Sequence, residues 1–201
     1  MKGYIIKSAL IKLEGNLKYT TLGCSIMAKD DTFFLRTTLT SSGTNYVSDN
    51  IDISAYTDPA RGRVLVVDRA FITYSTNGQG PIVPADIAAS SSTGSKQMGA
   101  QACSEKQTSL VEMKNNSLFA RSNIYAATNP AGVLSYVQMT DSLNPTTYVS
   151  GFIVPTDAIH CGIATGSAWN GELDVGFLFE VHTEKLSLQR IQELLVSLTA
   201  N

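Results

Sequence analysis

Histidine is nearly missing from this chain: His160 and His182 are the only two in 201 residues. Imidazole is the side chain most used for proton transfer near neutral pH, so this scarcity weighs against acid–base catalysis. The sequence also has no GxSxG elbow, no HExxH, no P-loop and no dinucleotide fingerprint after a strand. Cysteine is sparse, and Cys24, Cys103 and Cys161 lie far apart. That spacing excludes a paired-cysteine zinc site, and the odd count predicts free thiols made in a reducing cytosol.

Charge of either sign is low. Fifteen Lys and Arg against seventeen Asp and Glu leave a net charge of -2, and charged residues make up 16% of the chain where about a quarter is usual. No large positive field is available to attract phosphate backbones, so direct nucleic-acid binding is not expected. Long apolar runs are missing too, with no window near the ~18 uncharged residues that cross a bilayer. The opening "MKGYIIKSALIKLEGNLKY" spaces lysines through a β-like alternation and lacks the apolar centre of a secretion signal. The expectation is a soluble chain without an export signal.

What is present is short apolar alternation punctuated by Gly, Ser, Thr and Asn. This pattern predicts strands near 3–13, 17–28, 32–39, 46–54, 63–75, 107–113, 132–139, 147–154, 158–165 and 172–184. The fold class expected is all-β, an antiparallel β-sandwich with a short C-terminal α-helix, in one domain spanning 1–201. In "RGRVLVVDRAFITYSTNGQGP", strict alternation puts Leu65, Val67, Phe71 and Thr73 on one face and Val64, Val66, Ala70, Ile72 and Tyr74 on the other. Apolar side chains on both faces predict a central strand.

Residues 78–106 are rich in Gly, Pro, Ser and Ala and read as a long loop, with one helical turn in "PADIAAS". A linker between two small domains is the other reading of that stretch. At the C-terminus, Leu173, Val175, Phe177, Phe179 and Val181 alternate with polar residues, with Leu178 as the exception. Periodicity then changes: Ser187 can cap a helix over 187–198 whose stripe is Leu188, Ile191, Leu194, Leu195 and Leu198. Such a stripe must be covered, by its own sandwich or by a neighbouring subunit.

The residues offering chemistry are few. Glu172, Asp174 and Glu180 share one strand face, and two carboxylates ~6 to 7 Å apart suit glycosidic hydrolysis, although charged gatekeepers on a solvated face look the same. Asp49, Asp52 and Asp58 offer oxygen ligands for calcium without the EF-hand spacing. His160 and Cys161, adjacent on a strand, point to opposite faces and make a poor dyad. Trp169, the only Trp, can stack on a sugar, anchor an interface or fill the core. No catalytic, metal or cofactor site is assigned, and no cofactor is expected.

The closing segment "IHCGIATGSAWNGELDVGFLFEVHTEKL", together with many short strands and a long mid-chain loop, resembles the jelly-roll coat proteins of tailless icosahedral viruses. In such a coat "IHCGIAT" and "ELDVGFLFEVHTEKL" would run antiparallel around the "GSAWNG" turn. The resemblance implies a structural virion protein, made in the host cytoplasm, whose partners are copies of itself and other virion proteins. Many small RNA-virus coats carry a basic N-terminal arm that this chain lacks, so packaging charge would come from another protein, or an internal membrane layer would separate shell from genome. The expected subunit-interface residues are Trp169, Leu188, Ile191, Leu195 and Leu198, with the 78–106 loop as the leading contact segment. The alternatives are a carbohydrate-binding sandwich, lectin-like or adhesin, with glycan as its partner, and the sandwich glycosidase built on the carboxylates above.

Overall fold

The computed structural model describes residues 32–78, 80–87, 94–131 and 133–199. The strands expected at 3–13 and 17–28, and Cys24, lie outside the described residues. Among the described residues, nine strands and two helices follow in chain order: β1 (Phe33–Thr40), β2 (Val47–Asp52), β3 (Arg63–Thr76), α1 (Pro84–Ile87), β4 (Gly94–Cys103), β5 (Leu118–Thr128), β6 (Leu134–Leu143), β7 (Phe152–Val154), β8 (Ala158–Thr165), β9 (Leu173–Lys185) and α2 (Leu188–Thr199). Single 3-10 turns occupy Pro59–Arg61 and Pro145–Thr147.

The strands form two antiparallel sheets, a four-stranded one in the order β1-β9-β3-β7 and a five-stranded one in the order β2-β8-β4-β5-β6. The chain crosses between sheets at every connection except β4 to β5 and β5 to β6. The last strands slot between the first: β9 pairs with β1 and β3, and β8 pairs with β2 and β4. That winding is a jelly roll. Among the described residues, no helix is long and apolar enough to cross a membrane.

β9 shows how sequence becomes packing. Leu173, Val175, Phe177, Phe179 and Val181 point between the sheets and are buried, while Leu178 lies half-buried on the outer face. Phe119 of β5 reaches across from the opposite sheet, its ring 4.9 Å from Phe152 and 5.8 Å from Phe179. These contacts close the core from both layers.

Several expectations need correction. The 78–106 segment is not one long loop: it contains α1 and the ten-residue strand β4. β4 was hidden because its inward residues, Met98, Ala100 and Ala102, are mostly small, and tertiary burial outweighs their weak β propensity. β5 was likewise missed. No strand forms over 107–113, where the β4–β5 connection folds back across the outer face of the five-stranded sheet. Nor do β8 and β9 pair around "GSAWNG"; that turn carries the chain from one sheet to the other.

β3 is internal to its sheet as expected, but its alternation breaks. Val67 pairs with Val181 and Arg69 with Glu180, so Asp68 is an added residue in a β-bulge. Leu65 and Val67 face inward before it, Ala70 and Ile72 after it. Phe71 is thereby turned outward.

Candidate functional site

The catalytic candidates do not converge on one centre. Glu172 accepts from Asn77 Nδ2 at 3.0 Å, Asp174 accepts from Thr40 Oγ1 at 2.7 Å, and Glu180 lies 3.4 Å from Arg69 Nε. Each carboxylate is thus engaged by its own neighbour on the sheet. Asp49, Asp52 and Asp58 instead accept from the nearby backbone N–H groups of Asn50, Ser54 and Arg61. Among the described residues, no group of three His, Cys, Asp or Glu side chains is placed to hold a metal ion.

The thiols are equally unsuited to nucleophilic work. Cys161 points into the core and His160 away from it, while Cys103 stands opposite His160 on the paired strand. Burial pushes the Cys103 thiol up to about 12 and raises Cys161 as well. Burial, and then the Lys106 charge, lowers His160. Near neutral pH this leaves protonated thiols beside a neutral imidazole.

The five residues expected at an interface divide. Trp169 is 8% exposed and sits in the core cluster, because the inter-sheet turn that carries it folds inward. Ile191 and Leu198 are also buried within the chain. In these three the apolar surface is covered within the chain itself. Leu188 and Leu195 remain exposed on the flank of α2.

Helix α2 begins as expected, with Ser187 Oγ accepting from Arg190 N at 3.2 Å. It lies against the Pro59–Arg61 turn, and Asn116 Nδ2 donates to Ser197 O at 2.8 Å. Val64 and Val66 of β3 point to this outer side and are fully buried. The outer face of the four-stranded sheet is therefore covered at one end.

Its other end is open, and this feature was not anticipated. Antiparallel registers set Phe71 of β3 and Arg36 of β1 on either side of Leu178, with Phe34 beside Glu180 one step along. Phe34 is 55% exposed and Phe71 46% exposed. The result is an apolar stripe across three strands, bordered by Arg36 and by the Arg69–Glu180 pair.

The five-stranded sheet has a different outer surface. Gln101, fully buried, donates from Nε2 to Tyr46 Oη at 3.0 Å and Ser109 O at 2.8 Å, and its Oε1 accepts from Val111 N at 2.8 Å. The bonds to Ser109 and Val111 fasten the 104–117 connection over the sheet. Beside it lies a recess of about 460 Å³ lined by Ser95, Lys96, Gln97, Tyr125, Gly166 and Ser167.

The sheets also differ in width. β7 covers only Leu65–Val67 of β3, and beyond it the N–H and C=O of Ala70 are taken by the Asn144 side chain. β6, the fifth strand, overhangs this gap. Val137 and Met139 stand opposite the inward-facing Ala126 and Ile124 of β5, yet are 43% and 49% exposed.

No protein-family model matches the chain, and no curated protein is similar to it in sequence. Among solved structures, it is similar to a chain of desmodium yellow mottle tymovirus at 9% identity and a TM-score of 0.28, over 93% of this chain and 97% of that one. It is also similar to the tailspike protein of Acinetobacter baumannii phage AM24 at 8% identity and a TM-score of 0.17, over 76% of this chain and 27% of that one.

Proposed function

We propose that the chain is a structural virion protein, a jelly-roll coat subunit whose copies tile laterally into an icosahedral shell. The observation that carries this reading is the Phe34–Leu178–Phe71 stripe on the outer face of the four-stranded sheet. An apolar stripe spanning three strands and rimmed by charge has the composition of a contact surface. A neighbouring copy laid on that face removes it from water, and the Arg36 and Arg69–Glu180 rim fixes its orientation. The weak net charge leaves genome neutralisation to another protein, or places a lipid layer between shell and genome.

Light scattering and negative-stain microscopy of the purified protein test this. Closed shells or regular capsomers are expected, and Phe34→Asp with Phe71→Asp should abolish them while leaving circular dichroism unchanged. A 21.6 kDa monomer at every concentration and salt condition would overturn the reading.

A carbohydrate-binding sandwich is the second reading, favoured by the Tyr125 recess. A half-exposed tyrosine ring beside Gln97, Ser95 and Ser167 offers a stacking face with hydrogen-bonding groups around it. Glycan-array binding lost in Tyr125→Ala would support that reading, and an array without signal would remove it.

A further inference from the structure

We infer that β6 is a self-association strand, which pairs antiparallel with β6 of a second copy about a two-fold axis normal to the five-stranded sheet. Among the described residues β6 pairs only with β5, so its outer edge presents alternate N–H and C=O groups along ten residues. The usual protections of an edge are weak here: the strand contains no Pro, no Lys and one residue charged near neutral pH, Asp141. What fills this edge must meet two demands together. It must supply a strand to the ladder, and it must cover Val137 and Met139 on the inward face, where β7 is too short to reach.

A second copy meets both demands with the same residues. A two-fold axis normal to the sheet keeps inward faces inward, so Val137 and Met139 of the two copies meet above the joined ladder in the gap between the two four-stranded sheets. Charge selects the antiparallel sense. With Val137 opposite Met139 of the second copy, a register that keeps same-face residues opposite, the two Asp141 residues stand about 20 Å apart along the ladder, whereas an in-register parallel pair would set them side by side.

The inference deepens the proposed function by naming one contact of the assembly, and it is tested separately from the shell. Hydrogen exchange of the full chain, read by mass spectrometry across a hundredfold concentration series, should show Leu134–Leu143 amides gaining protection as light scattering reports dimer. Val137→Lys should weaken dimerisation roughly tenfold or more with an unchanged melting temperature, because two like charges would be buried near one another on the same face of the joined ladder. Protection that does not vary with concentration would show that the chain's own residues cover the edge, and would overturn the inference. So would a Val137→Lys protein that dimerises like the wild type. Shells that form with β6 amides still exchanging freely would keep the coat reading and sink this one; β6-protected dimers that never grow larger would do the reverse.

Discussion

Asp68 is the residue that the bulge adds to β3, and one of its carboxylate oxygens lies 2.6 Å from Nδ1 of His182 on β9. Both side chains are largely withdrawn from water, at 11% and 16% exposure. The bulge reverses which residues of β3 face the core, and a bond between the added residue and the neighbouring strand fixes where the reversal occurs. Structure on both sides depends on that position, since Val64 and Val66 pack outward before it and Phe71 is presented outward after it.

Asp68→Ala is expected to lower unfolding free energy by about 1.5–3 kcal/mol, the range for a hydrogen bond involving a charged group. Deleting Asp68 should instead leave the other faces of β3 unchanged, because Val67 and Arg69 already pair with the consecutive residues Val181 and Glu180, so the ladder closes as a regular strand and the variant still folds. Urea denaturation checks the first expectation, and soluble yield with circular dichroism checks the second. An unchanged urea midpoint in Asp68→Ala would show that the pair does not hold the bulge.

Trp169 packs in the core at the turn between β8 and β9. Trp169→Ala should therefore cost about 3–5 kcal/mol in stability. Thermal and urea denaturation measure this directly. A variant as stable as the wild type but deficient in glycan binding or assembly would return Trp169 to the surface role suggested by its place in "GSAWNG".

Gln101 holds the 104–117 connection onto the five-stranded sheet through two hydrogen bonds, to Ser109 O and from Val111 N. In Gln101→Ala the Val111 N–H and Ser109 C=O lose their side-chain partner, at a cost of about 1–3 kcal/mol for each group that stays buried. The connection should then loosen before the sandwich does. Limited proteolysis is expected to cut between Glu105 and Lys114 in the variant under conditions that leave the wild type intact. Equal resistance in both proteins would mean that other contacts fasten the segment.

Local pattern marks some elements of this fold in the sequence, and packing between distant segments hides the others. β9 was legible because one face meets the core and the other does not, so hydropathy alternates as the pleat does. Helix α2 was legible from Ser187 and a leucine stripe. β4 was not, because its inward side chains are mostly small and its outward Gln101 is buried by a segment distant from it in space until the chain folds. The exposed stripe was hidden by the bulge: strict alternation grouped Phe71 with Leu65 and Val67, and only an added residue separates them. The β6 overhang depends on how far β7 extends in the opposite sheet, which no local pattern records.

Buried thiols make a last prediction, at alkaline pH. Burial raises Cys103 from 9.0 to about 12 in the folded protein, while the unfolded chain ionises near 9.0. Between those values the unfolded state has lost a proton that the folded state keeps, so it binds fewer protons and stability falls as pH rises. The contribution is fully present below 9.0 and is lost on the way to about 12, at up to ~1.4 kcal/mol per pH unit. Cys161 shifts in the same direction for the same reason. Tyrosines and lysines titrate over this range too, so the informative quantity is the difference between wild type and Cys103→Ala in urea denaturation at pH 8 through 11. The wild type should lose stability faster above pH 9, and neither thiol should react with an aromatic disulfide reagent in the native protein at pH 8. Parallel stability profiles, or rapid native labelling of Cys103, would show that this thiol is reached by water and that the close packing of the β4–β5 connection over it is absent in solution.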